Sequence, residues 1–293
     1  MSDKVCNSEF LGYNEEMDLS YAQYSLYKSC PLKFRYRYID RLKKKQNEYN
    51  TISGNVVGKL FEHFYNDELW RVPKEVQNKL LELLPKKFAE VIARSNVDWD
   101  APKQLSKDEL LEDCKKSLLL GLKAVKENLL LGAYAKAEVK VQAKISTHDV
   151  IWGRADYLIR RSLKAQPEEI LIIDGKNTNS DQYLDESQLL FYSLAYYLAN
   201  ERMVDKVGFL LFKFGTVKWI EFSKEDLKKL REDIHEVIKG IWKKEFEPTY
   251  LPGACKFCLY KEECEKETGF AIKQLKTDKS LRVIPDGVTE VGF

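Results

Sequence analysis

The chain has 293 residues, 44% of them hydrophobic and 32% charged, with a formal net charge of only +2. That length accommodates one large domain or two small ones, and the balance is ordinary for a soluble globular protein. It excludes a polycation that coats nucleic acid by overall charge, so any nucleic-acid surface has to be a local basic patch offset by acid elsewhere. No apolar run approaches the roughly 18 residues that cross a bilayer. The opening MSDKVCNSEFLGYNEEMD is polar and acidic, without the apolar core of a signal peptide. The expectation is a cytoplasmic, reducing setting with no membrane partner, where the six cysteines are free thiols or metal ligands rather than disulfides.

In chain order, residues 1–17 read as a loose arm carrying a lone Cys6. Leu19 to Ser29 reads as a helix capped by Asp18 or Ser20, and Pro31 suits the first turn of a second helix over Leu32–Ile39. This stretch interleaves Tyr24 and other aromatics with Lys28, Lys33, Arg35 and Arg37. Rings that stack bases among cations that meet phosphates suit single-stranded nucleic acid; a packed aromatic helix with a solvated basic edge fits the same composition equally well. Ile52 to Trp70 reads as a third helix, with Gly54, Gly58 and Glu62 at intervals of four on one face and His63 pointing elsewhere. Residues 73–94 and 106–131 carry helical periodicity and form an expected helical insert, about 72–131, with no chemistry of its own; Cys114 belongs to it.

The period then changes. Lys136–Ile145 alternates as a strand through Ala137, Val139, Val141, Ala143 and Ile145, and Val150–Arg160 is a second strand. The third, within residues 168–178, has the continuous apolar run Ile170–Ile173 of a strand covered on both faces. Glu186–Asn200 is a helix, Lys206–Phe214 and Val217–Phe222 form a hairpin around Gly215, and Ser223 caps a long helix to about Lys244. After Pro252 the chain turns irregular and cysteine-rich, ending in a polar tail, 266–293.

The apolar run at 170–173 ends in Asp174 and Lys176, which the strand period places on one face. An isolated Asp-x-Lys is commonly a plain strand-end ion pair. Here a short turn joins this strand to the one carrying Asp156, so the two acids can meet at one end of the sheet. Two carboxylates a few ångströms apart repel unless a cation sits between them, and oxygen-only ligation suits Mg²⁺ or Mn²⁺. Lys176 is then placed to orient water or neutralise developing charge. Gln188 and Tyr192, one helical turn apart, can lie over the same strand end. No P-loop or dinucleotide-binding glycine pattern is present, and nothing supports a Ser or Cys nucleophile. Far downstream, Cys255, Cys258 and Cys264 form C-x2-C-x5-C and need a fourth ligand; spacing alone favours Zn²⁺ slightly over an iron–sulfur cluster.

Asp156, Asp174-x-Lys176 and Gln188-x3-Tyr192, in this order, resemble the PD-(D/E)XK nuclease superfamily, and within it the RecB-type branch that includes AddB and the CRISPR-adaptation nucleases. LSYAQYSLYKSCPLKFRYRYI is similar to that branch's opening helices. The likeness covers about residues 18–60 and 136–265 and implies one α/β (α+β) domain over 18–265: a restriction-endonuclease-like core, with a mixed central sheet flanked by helices, the helical insert, and a C-terminal segment at 252–265 stapled by iron and sulfur. It implies that Asp156 and Asp174 hold the metal, that Lys176, Gln188 and Tyr192 complete the catalytic set, and that Cys30, Cys255, Cys258 and Cys264 hold a [4Fe-4S] cluster, with Zn²⁺ as the alternative. One departure stands out. In that branch the helix glycine is followed four residues later by a metal-binding histidine, whereas here Gly54 is followed by Gly58; Glu62, or less well His63, is the substitute, and Glu138 is a second available carboxylate.

The implied function is a metal-dependent DNA exonuclease acting on single strands or ends, in recombination and repair, CRISPR adaptation or viral DNA processing. With no helicase motif in the chain, any motor would be a partner protein. The competing reading, favoured by the missing histidine, is a nuclease fold that binds DNA or a partner and cuts weakly. A zinc-stapled interaction protein is a third.

Overall fold

The computed structural model describes residues 16–99, 101, 104–163, 167–182 and 184–272; Cys6 and most of the C-terminal tail lie outside them. The elements run β1 (Met17–Ser20), α1 (Tyr21–Ser29), α2 (Pro31–Phe34), a π-helical turn (Arg35–Ile39), α3 (Tyr49–Asn66), a 3-10 turn (Leu69–Arg71), α4 (Val76–Arg94), α5 (Lys107–Glu127), β2 (Tyr134–Lys144), β3 (Asp149–Arg161), β4 (Glu169–Lys176), α6 (Glu186–Asn200), β5 (Lys206–Leu211), β6 (Thr216–Ile220), α7 (Lys224–Trp242), α8 (Pro252–Lys256) and α9 (Lys261–Thr268).

The sheet is mixed, in the order β1-β3-β4-β5-β6, with β2 pairing the other edge of β3. β3 is its longest strand and meets three partners. β2 runs antiparallel along one edge over residues 150–160 of β3. The opposite edge is shared, parallel β1 taking residues 149–152 and antiparallel β4 taking 157–161. The parallel β4–β5 pair is connected through α6, as a parallel crossover requires. Helices cover both sides of the sheet. One core joins α1, α6 and α7 to Ile151, Ala155, Leu158, Ile170 and Ile172; the other joins α3, α4 and α5 to Tyr157, Ile159, Leu171 and Ile173. The residues of β4 therefore alternate between two apolar cores, which is why its sequence reads as an unbroken hydrophobic run.

Two elements depart from the sequence reading. Residues 17–20, expected as arm and helix start, form β1, and the helix begins only at Tyr21 behind a Ser20 capping box with Gln23. Strict alternation in β2 also fails. Ala135 and Ala137 belong to the α3 core, but Val139 and Val141 pack into the α6 core. The switch falls at Glu138, whose φ of +57° is left-handed. β3 switches opposite it: Ile151 and Ala155 face the α6 core, Tyr157 and Ile159 the α3 core. The register is kept on either side, Ala137 opposing Tyr157 and Val139 opposing Ala155, and the ladder is interrupted between them at Glu138 and Asp156. No glycine or turn sequence announces it.

Candidate active site

The β3–β4 ladder ends at the Tyr157–Ile173 pair. One residue further along each strand stand Asp156 and Asp174. Asp156 bridges the fork between the strands, its Oδ2 accepting the backbone N–H of Gly175 at 2.8 Å. Asp174 is 1% exposed and points to the α6 side. Burial and the neighbouring Asp174 charge push the Asp156 carboxyl up to about 8, against the smaller opposing pull of the Gly175 N–H and Lys176. An acid pair held this way takes up a proton more readily than free carboxylates unless a cation offsets the repulsion.

Lys176 Nζ lies 2.8 Å from Asp174 Oδ2 and donates to Gln188 Oε1 at 3.1 Å, while Gln188 Nε2 donates to Tyr192 Oη at 2.9 Å. The approach to Asp174 is ionic rather than directed, and Asp174 Oδ2 remains a buried oxygen without a hydrogen bond of acceptable geometry. Burial works to lower the Lys176 pKa, but the charges of Asp174 and Asp156 outweigh it and hold the ammonium above its ordinary value. Burial likewise holds Tyr192 as a protonated phenol, against the pull of Gln188. Helix α6 is fixed where it delivers these groups. Asp185 caps it by accepting Ser187 N–H at 3.2 Å, and Tyr21 Oη on α1 donates to Asp185 and sits 2.9 Å from Ser187 Oγ.

The orphaned Asp174 oxygen and the repelling acid pair fit a hard divalent cation, which needs oxygen donors and excess negative charge. Two side chains do not fill its shell, and among the described residues no group of three or more His, Cys, Asp or Glu is arranged to hold a metal ion. Helix α3 runs past this gap. Gly54 lies against Asn177 beyond the end of β4, a Cβ there standing 3.8 Å from Asn177 Cβ. At the other end Asn66 Oδ1 accepts Ala137 N–H of β2 at 2.9 Å. The Gly54–Gly58–Glu62–Asn66 stripe thus crosses from β4 to β2 over the intervening β3, the strand of Asp156. Gly58 opens on free space, since a Cβ there meets nothing within 4 Å. Glu62 pairs with Lys59 Nζ at 2.6 Å, and His63 is engaged off this face with Asp67 at 2.7 Å. Glu138 is drawn outward toward Arg154, 3.4 Å away.

A second polar network, not anticipated from sequence, backs the strand end. Asn177 Nδ2 donates to Ser53 Oγ at 2.6 Å, Ser53 donates to Asp113 Oδ2 of α5 at 3.0 Å, and Lys213 pairs with the same carboxylate at 3.1 Å. The buried Cys114 thiol adds a 3.4 Å contact to Ser53. The sequence signals were faint: a serine beside Gly54 and an asparagine after Lys176.

The aromatic–basic segment is largely turned inward. Tyr24 is 5% exposed and donates to Asp233 Oδ2 at 2.5 Å, and Lys28 pairs with the same carboxylate. Enclosed between α7 and Phe191, the Tyr24 ring is withdrawn from any surface that stacks a base, which corrects its reading as a stacking platform. Arg35 spans Asp40 and Glu267, Arg37 lies over the Tyr38 ring, and Lys33 is half-buried. These contacts tie the first helices to the C-terminal segment: Tyr36 donates to Glu267 at 2.8 Å and Tyr260 to the Leu42 carbonyl at 3.3 Å. Cys30, Cys258 and Cys264 surround the small core of Leu32, Tyr36 and Tyr260 formed there. Burial raises the Cys264 thiol to about 11, and the thiols of Cys30, Cys255 and Cys258 add to it. All four cysteines therefore share one neighbourhood, but among the described residues they do not converge into a group arranged to hold a metal ion.

Sequence comparison matches residues 18–265 to the PD-(D/E)XK nuclease superfamily. The chain belongs to that superfamily of nucleases, and its six-stranded mixed sheet flanked by helices has the restriction-endonuclease-like form of the group. Its members usually work with Mg²⁺ or Mn²⁺. Among solved structures, the crystal structure of SSO0001 is 17% identical, covering 84% of this chain and 96% of its own, with a TM-score of 0.32. Comparison with curated proteins returned no match. Among the described residues, no helix is long and apolar enough to cross a membrane.

Proposed function

We propose that the protein is a metal-dependent deoxyribonuclease of the RecB-type branch, acting as an exonuclease on single strands or DNA ends. The observation that carries this reading is the buried Asp156–Asp174 pair faced by the Lys176–Gln188–Tyr192 line. Asp156 and Asp174 would hold a Mg²⁺ or Mn²⁺ ion, which when bound supplies Lewis-acid stabilisation of the phosphate and a more acidic water. The ammonium of Lys176 has three N–H donors. Gln188 takes one of them and the ion pair to Asp174 is undirected, leaving a donor for the attacking water or a phosphate oxygen. Held charged by the two acids, Lys176 neutralises the charge that builds on the phosphate oxygens. Gln188, locked by Tyr192, keeps that ammonium from collapsing onto Asp174 alone. The test is cleavage of end-labelled single-stranded DNA with Mg²⁺ or Mn²⁺ by wild type, Asp174→Ala and Lys176→Ala. Undiminished cutting by either variant rules out this site.

The gap at Gly58 favours a second reading, a nuclease fold that grips DNA and cuts weakly. Wild-type protein that binds DNA yet stays inactive with every divalent metal would establish it. Glu62 supplies the third carboxylate in the active form, after releasing Lys59.

We infer that Cys30, Cys255, Cys258 and Cys264 hold a [4Fe-4S] cluster that staples the first helices to the C-terminal segment. Their shared neighbourhood supports it, as does the chemistry of four thiols without a disulfide. Anaerobically purified protein should be brown and contain iron and acid-labile sulfide; a colourless protein with stoichiometric zinc refutes the cluster.

A further inference from the structure

Beyond the inversion at Glu138 and Asp156, the β2–β3 pair turns Lys140, Gln142 and Lys144 of one strand and Trp152 and Arg154 of the other to a single face. It lies on the α3 side of the sheet, past the point where Asn66 ends the helix that covers the rest. Lys140, Gln142, Lys144 and Arg154 are exposed and Trp152 is half-buried. The register sets Lys140 directly opposite Arg154 and Gln142 opposite Trp152. Like charges directly across a strand pair destabilise a sheet. Little relieves them here. Glu138 reaches Arg154 at 3.4 Å with both side chains exposed, and among the described residues Lys140 and Lys144 have no ion-pair partner. Lys140 Nζ lies 5.3 Å from the Trp152 ring centre.

We propose that this face is the track on which a single nucleic-acid strand lies as it enters the site. The proposal rests on the nuclease reading above and adds where the substrate is held. Charge complementarity and continuity argue for this occupant. Three cations are spread along two strands, and successive side chains on one face are ~7 Å apart, so Arg154 and Lys140 stand about one such step from Asp156. A strand bound to them through its phosphates is led to the inversion at Glu138 and Asp156, and at the fork between β3 and β4 it passes to Asp174 and Lys176 on the α6 side. A phosphate that draws Lys140 outward uncovers the indole of Trp152 for a base, the combination of stacking platform and cationic groove that suits single strands. The left-handed Glu138 is what makes the track. Under regular alternation these side chains would point into the α6 core and Val139 and Val141 would be exposed.

The test measures binding of a fluorescein-labelled oligonucleotide, single-stranded or duplex, by anisotropy in EDTA, so that it does not depend on cutting. The full chain is compared with the triple variant Lys140→Ala/Lys144→Ala/Arg154→Ala. The expected result is single-strand affinity at least tenfold weaker and a plot of log affinity against log salt shallower by about 2, the value for three lost phosphate contacts on a single strand. Lys140→Arg/Lys144→Arg/Arg154→Lys should restore both, and Trp152→Ala should weaken single strands more than duplex while Trp152→Phe does not. With metal, the triple variant should show a raised KM and a little-changed kcat. If wild type binds and cuts but the triple variant binds with the same affinity and salt slope, the track is wrong and the nuclease reading stands. Selective loss of duplex binding overturns the single-strand assignment. Wild type that binds neither oligonucleotide overturns both.

Discussion

The Asp156 carboxylate accepts the backbone N–H of Gly175 at 2.8 Å, so the acid of one strand is bonded to the residue between Asp174 and Lys176 of the next. One side chain thereby fixes the spacing of the whole site, and its protonation state governs the metal-free protein. Asp156 is raised to about 8 by burial and by Asp174, against an ordinary value near 3.9. A raised carboxyl contributes stability that is complete below the unfolded value and is lost as pH rises through the folded one. In EDTA the melting temperature should therefore fall between about pH 4 and pH 8. Asp156→Asn, which keeps an acceptor for Gly175, should flatten that slope. Equal slopes in the two proteins would contradict the assignment.

The same relationship predicts proton release. Titration of Mn²⁺ at pH 7 in two buffers of different ionisation enthalpy should yield a buffer-dependent heat in wild type, as Asp156 gives up its proton. Asp156→Asn should lose that dependence together with most of the affinity.

Lys176, Gln188 and Tyr192 form a hydrogen-bonded line, and in the proposed function only the first meets the reacting phosphate. Lys176→Ala should reduce kcat by about 10²–10³, the scale for losing one preorganised charge donor. Gln188→Ala, which only orients that donor, should cost about tenfold, and Tyr192→Phe less still, because the phenol acts on Gln188 alone. A Tyr192→Phe variant as impaired as Lys176→Ala would show that the hydroxyl touches substrate.

Gly58 leaves open space on α3 over the strand of Asp156. Gly58→Ala should stabilise the fold by about 0.5–1 kcal/mol, the ordinary gain for an unstrained helix position. Gly58→His should add an imidazole on the open face of α3, tightening Mn²⁺ binding by calorimetry. Unchanged affinity in a folded Gly58→His protein places the gap away from the metal.

Tyr21 ties α1 to the N-terminus of α6 through Asp185. Tyr21→Phe leaves a half-buried charged acceptor short of one donor and should cost about 1–3 kcal/mol in denaturant unfolding. Loss of no stability would mean that Ser187 alone satisfies the Asp185 carboxylate.

The elements that carry chemistry were legible because their patterns are local. The apolar run of β4 followed by Asp174 and Lys176 reflects a strand buried on both faces and ending in charge held beneath α6. The Gln188–Tyr192 spacing survives unchanged on α6, and Ser223 begins α7 as its capping box requires. What escaped depends on the third dimension. β1 is four residues long and owes its existence to pairing with the far end of β3. The inversion at Glu138 is a left-handed residue of a type that gives no warning. Tyr24 and Lys28 have the composition of a nucleic-acid surface, but Asp233, more than two hundred residues away, binds both.

The Asn177–Ser53–Asp113 chain has a consequence for how the enzyme can be handled, by the cell or in the laboratory. Two hydrogen bonds separate α5, on the periphery, from the residue that follows Lys176. A shortened protein lacking the insert would forfeit Asp113 and strand Ser53, Cys114's neighbour, without its acceptor. A ligand or protein that draws Asp113 away should therefore be felt at the end of β4. The insert is thus the natural place to attach a brake or an accelerator.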